Sequence, residues 1–179
     1  MKDVGILFNT LDHLWQNYLH CRAFFPCVTR ESVGTKTVRT APYYIAQGCD
    51  MTLEFGKPLS AEAIDRINEI GHWISQNFVI RLCAVLESFG VISERVSIDP
   101  KLDGARHVDI VRRLKNCFTH SSGRFDPENA KHRKALQLMR DHLGISIENC
   151  ATWPLAIDTV LDPLLRGCKT YAGKRLGSA

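Results

Sequence analysis

Five polar residues crowd together in the stretch VRRLKNCFTHSSGRFD, residues 111–126: Arg112, Arg113, Lys115, Asn116 and His120. Their types are those a phosphate-cleaving site would use. A guanidinium stays charged at any relevant pH and can clasp two phosphate oxygens at once. An imidazole can accept one proton and donate another near neutrality. An amide can orient either group without adding charge. No acidic cluster stands close enough in the sequence to suggest a metal cage, so the chemistry expected here uses neither metal nor cofactor. Such chemistry needs an internal nucleophile, which RNA supplies in its 2′-hydroxyl. The plainer alternative is a basic helix face that is merely solvated.

Spacing decides which of these residues can act together. With successive residues about 100° apart around a helix and Val111 at zero, Ile110, Leu114, Cys117 and Phe118 form one apolar stripe centred near roughly 290°. Arg113, Asn116 and His120 fall between about 140° and 200°, neighbours along one polar ridge at i, i+3, i+7. Arg112 lies at roughly 100°, beside the ridge, and Lys115 at roughly 40°, across the apolar stripe. The ridge is the candidate catalytic set, and Arg112 and Lys115 are candidate phosphate contacts.

Helical periodicity dominates the elements that must hold this ridge. Val4, Leu7, Phe8, Leu11, Leu14, Trp15, Tyr18 and Leu19 predict an amphipathic helix that stops before Pro26. Ser60 reads as the N-cap of a long second helix running through Ile64, Ile74, Phe78 and Leu82 to Phe89. Gly90 suits its C′ position, and Gly71 inside it suggests a kink. The spacing predicts a third helix from Asp103 to Gly123. A fourth is expected from Asp126 as N-cap, with Pro127 at N1, to Gly144. A fifth is expected from Pro154 to Tyr171, bent at Pro163. The fold class expected is an all-α bundle of about five helices. Residues 27–59, with five Gly and Pro residues between β-leaning pieces, predict a long irregular segment or a small hairpin.

At 179 residues with 45% hydrophobic and 23% charged residues, the chain reads as a single globular domain, 1–179. A net charge of +4 permits an anionic partner without demanding one. The seven cysteines are scattered, with no C-x-x-C pair, which favours reduced thiols and argues against zinc. No membrane span is expected, because the most apolar long stretch contains Arg81 and Glu87. The N-terminal residues carry Asp3 and Asp12 and do not resemble a signal peptide, so a cytoplasmic location is expected. Glu87 could orient His120, although a surface carboxylate is the commoner fate. The other histidines read as surface or helix-flank residues, and the basic C-terminal tail as a frayed end.

The run LKNCFTHSSGRFD resembles the signature of HEPN domains, helical bundles whose third main helix carries an arginine, four to six residues, then a histidine. Asn116, Cys117, Phe118, His120, Gly123 and Asp126 match that motif, and residues 61–171 fit the layout. The resemblance implies a metal-independent endoribonuclease of toxin or antiviral-defence type, leaving a 2′,3′-cyclic phosphate and a 5′-hydroxyl. It implies RNA as substrate, a two-fold homodimer and an antitoxin or regulatory protein as a further partner. One departure stands out: the residue directly before Asn116 is Lys115 where the family has arginine, so only Arg113 satisfies the longer spacing. A non-cleaving module that binds nucleotide, RNA or protein is the second expectation, and a purely structural helical partner the third.

Overall fold

The computed structural model describes residues 3–40, 51–93, 96–120, 123–146 and 152–177. The chain is mostly helical: α1 (Val4–Phe24), α2 (Ala61–Ser88), α3 (Ala105–His120), α4 (Ala130–Leu143) and α5 (Asp162–Gly177). A 3-10 turn, Arg30–Ser32, precedes two short antiparallel strands, β1 (Thr37–Arg39) and β2 (Thr52–Glu54). Val38 pairs with Leu53 in their register, so part of the 27–59 segment is the small hairpin. Its residues 41–50 lie outside the described set, as do Ser121 and Ser122 after α3. Among the described residues no helix is long and apolar enough to cross a membrane.

The chain divides into two compact units, Met1–Asp12 with Gln76–Ala179, and His13–Ser75. In the smaller unit Val28, Val38, Leu59 and Ile64 form a core, with Phe55 and Ile67 against it. Gly71 of α2 is where the buried Arg22 crosses: a Cβ there would strike the guanidinium and come within 3.0 Å of the Phe25 carbonyl oxygen. α2 is continuous through Gly71, and the glycine there permits close packing. The Asn68 amide bonds Val28 at both backbone N–H and carbonyl, 2.8 Å each, which ties the chain after α1 to α2.

In the larger unit α3 packs on α4 and α5. The stripe expected on α3 is buried: Ile110, Val111, Leu114, Cys117 and Phe118. Ser60 caps α2 through the Ala63 N–H, 3.2 Å, and Gly90 follows its end at φ +73°. Gly144 closes α4 in the left-handed region, φ 67°. The start of α4 differs from the sequence expectation. Asp126 caps a turn, accepting the Glu128 N–H at 2.9 Å, and Asn129 is the cap of the helix itself. Pro127 lies outside the helix. Residues 157–161 form a π-helical turn that runs directly into α5, and Pro163 is the second residue of α5. The C-terminal stretch is helical to Gly177: Arg175 donates to the Tyr171 hydroxyl at 2.8 Å and to the Ser97 carbonyl at 3.2 Å.

Candidate active site on the third helix

The ridge residues all lie on the last two turns of α3. Asn116 and His120 are exposed, and Arg113 is partly so. The buried stripe fixes the rotation of the helix, and the ridge faces solvent as a consequence. Two devices hold the end of α3, where His120 is the last residue. Thr119 bonds back to the Lys115 carbonyl at 2.9 Å, satisfying one of the last-turn acceptors. Beyond His120, the buried Gln76 of α2 donates to the Gly123 carbonyl at 2.6 Å, and any Cβ on Gly123 would collide with that amide. Sequence reasoning missed Gln76. Its signal was a polar residue set among the apolar positions Ile74 and Phe78 of α2.

The cations have partners. Asp109 takes Arg113 Nε at 2.9 Å through one oxygen and Arg112 Nη2 at 3.3 Å through the other. Each is a helix pair at i, i+3 or i, i+4, worth about 0.2–0.5 kcal/mol and screened by solvent. The bond to Asp109 uses one of five guanidinium N–H donors on Arg113 and leaves its Nη edge for another anion. Lys115 points the other way, to Glu87 of α2 at 3.3 Å. Glu87 also accepts from the Cys83 thiol at 3.7 Å, and burial followed by the nearby carboxylate pushes that thiol up to about 12. Glu87 is therefore engaged with Lys115 and Cys83 and does not orient His120. Neither Asn116 nor His120 has a side-chain hydrogen bond among the described residues.

Two further histidines depart from expectation. His132 is 1% exposed: it accepts the Asp126 N–H at its Nδ1, 3.1 Å, stacks with Phe125 and meets Trp153 edge-on at the start of α4. Its place in the i, i+3, i+4, i+7 set with Ala135, Leu136 and Met139 was the signal for burial. His107 of α3 meets His142 of α4, Nδ1 to Nε2 3.3 Å, and burial lowers the pKa of both.

The ridge is an open helix face. Two recesses among the described residues, of 330 and 350 Å³, lie elsewhere, one beside Leu143 and Val160 and one beside Phe8 and Lys169. No three His, Cys, Asp or Glu side chains converge as metal ligands among the described residues. Chemically, the ridge offers to a ligand arriving from solvent one cation, one amide and one imidazole, the last two without side-chain partners among the described residues. No protein-family model, curated protein or solved structure matches this chain significantly.

Proposed function

We propose that the chain is a metal-independent endoribonuclease of the toxin or antiviral-defence type, built on a HEPN-like bundle and working in the cytoplasm as a homodimer. The 2′-oxygen attacks phosphorus, the bond to the 5′-oxygen breaks, and a 2′,3′-cyclic phosphate and a 5′-hydroxyl result. His120 takes the 2′-hydroxyl proton, and an imidazolium returns a proton to the departing 5′-oxygen. Arg113 stabilises the charge that develops on the phosphorane-like oxygens, and Asn116 positions the phosphate. The observation that carries this reading is the exposed His120, without a side-chain hydrogen bond among the described residues, at the end of a helix whose spacing puts Arg113 and Asn116 on the same side.

The test is expression of wild type beside His120→Ala, with growth and RNA integrity both followed. Purified wild type is expected to cleave RNA in the presence of EDTA and to leave cyclic-phosphate ends, while His120→Ala leaves RNA intact. Cleavage that chelation abolishes would overturn the mechanism.

One observation favours a second reading, a module that binds RNA or nucleotide without cutting it. Each of the three cations in the motif already has a carboxylate: Asp109 for Arg112 and Arg113, Glu87 for Lys115. RNA retained by the wild-type protein and recovered unbroken after long incubation would select this reading.

A further inference from the structure

One stretch of the chain that includes α3 and α4 is rich in positive charge. Residues 105–144 hold nine Lys and Arg against four Asp and Glu, a net of +5, whereas the whole chain carries +4. Within that stretch the cations differ in what they face. Arg112, Arg113 and Lys115 have carboxylate partners, but Lys131 and Lys134, both exposed on α4, have none among the described residues. Asp126 and Glu128, the acidic residues nearest in sequence to Lys131, lie in the turn ahead of α4. There Asp126 accepts the Glu128 N–H.

The packing of α4 on α3 sets where Lys131 lies. The first turn of α3 meets the last turn of α4 through His107 and His142, so the two helices run antiparallel. Counting an equal number of residues from that contact, at about 1.5 Å per residue on each helix, brings Lys131 level with Phe118 and hence beside Cys117. Lys131 and His142 are also within roughly 20° of each other around α4, so Lys131 stands on the edge of α4 that meets α3. On α3, Arg113 and Cys117 are neighbours at i, i+4, on the side of the ridge away from Lys115. The electrostatics agree. Burial raises the Cys117 pKa, and Lys131, then Arg113, act against it, so both cations bear on this one thiol.

We infer that Lys131 of α4 is the second phosphate contact of the site, so that a single strand of RNA passes from His120 and Arg113 on α3 across Cys117 onto α4. Lys131 binds the strand and takes no part in the proton transfers. Lys134, one turn further along α4, extends the same track. Lys115, held by Glu87 on the opposite flank of α3, lies off it. This inference rests on the endoribonuclease reading for the identity of the polymer.

The test is the affinity of the His120→Ala protein, which does not consume its ligand, for a fluorescein-labelled single-stranded RNA across a salt series. Lys131→Gln in that background should weaken binding about three- to tenfold at low salt and reduce the slope of log K against log salt by about 0.7, as loss of one phosphate contact requires. Lys101→Gln, on an exposed loop outside the track, should leave both unchanged. In the His120-containing protein, Lys131→Gln should raise KM with kcat kept. If Arg113→Gln weakens binding and Lys131→Gln does not, the α4 contact is wrong and the endoribonuclease reading stands. If Lys101→Gln weakens binding as much as Lys131→Gln, the attraction is diffuse and the track is wrong. If the His120→Ala protein binds no RNA at any salt, the track falls, and cleavage by wild type then decides the reading beneath it.

Discussion

Arg113 and Lys115 stand two residues apart and serve different neighbours, one on the ridge with His120, the other against Glu87 of α2. A regular helix separates them, because about 160° between them puts them on different flanks. In single-turnover cleavage, Arg113→Ala should therefore lower the rate by at least about ten- to a hundredfold, the usual worth of one preorganised charge-stabilising contact. Lys115→Ala should cost less in rate, and in stability only the roughly 0–1 kcal/mol of a half-exposed pair. A dead Lys115→Ala beside a normal Arg113→Ala would transfer the phosphate to Lys115. A second residue-scale prediction concerns His107 and His142. Burial depresses the pKa of both; each then has one more cause, His142 acting on His107 and Arg106 on His142. Above the unfolded value of about 6.5 both states are neutral and nothing is lost; below it the unfolded chain takes protons that the folded pair resists, so stability falls until the folded pKa values are passed. The urea midpoint should drop between pH 7.5 and pH 5, and His142→Gln should shrink that drop. An equal drop in the variant would clear the pair of responsibility. These contacts were not legible beforehand, since a histidine's partner lies on another helix and the sequence gives only its own face.

Helix boundaries were legible where a single residue type settles them and obscure where two candidates compete. Ser60, Gly90 and Gly144 did what a hydroxyl cap and left-handed glycines do. At α4 the signals of Asp126 and Pro127 were sound turn chemistry, but Asn129, three residues on, offered an equally good cap and took the helix. The C-terminal stretch looked frayed because its lysines and arginines suit solvent. Bonds from Arg175 to Tyr171 and to Ser97 extend α5 to Gly177. Gly71 shows the limit of reading glycine as a local signal. A mid-helix glycine ordinarily costs roughly 0.5–1 kcal/mol against alanine. Gly71→Ala should nevertheless destabilise, because the added methyl meets the Arg22 guanidinium and the Phe25 carbonyl oxygen, and overpacking costs about 1–3 kcal/mol. Thermal melting checks this: a higher Tm for Gly71→Ala would mean that Arg22 can swing aside at no cost.

Across the whole chain, charge is divided as unevenly as structure. The unit His13–Ser75 holds six basic and six acidic residues, so the other unit carries the net +4 and, within it, the ridge. That ridge is an open helix face outside both recesses, and it offers a single imidazole. In-line displacement puts the attacking 2′-oxygen and the departing 5′-oxygen on opposite sides of phosphorus, so one histidine cannot serve both oxygens in the same step. A two-fold dimer with both ridges facing one cleft supplies the second, since an isologous contact presents each residue twice. The prediction is a protein that is dimeric at assay concentration and needs His120 from both copies. Wild type and His120→Ala, differently tagged and co-expressed at equal levels, would form mixed dimers. Pooled activity should then fall to roughly a quarter of wild type, the share of dimers with two intact copies. Activity near one half would mean that each protomer works alone, and light scattering that finds only monomer at high concentration would remove the shared cleft altogether.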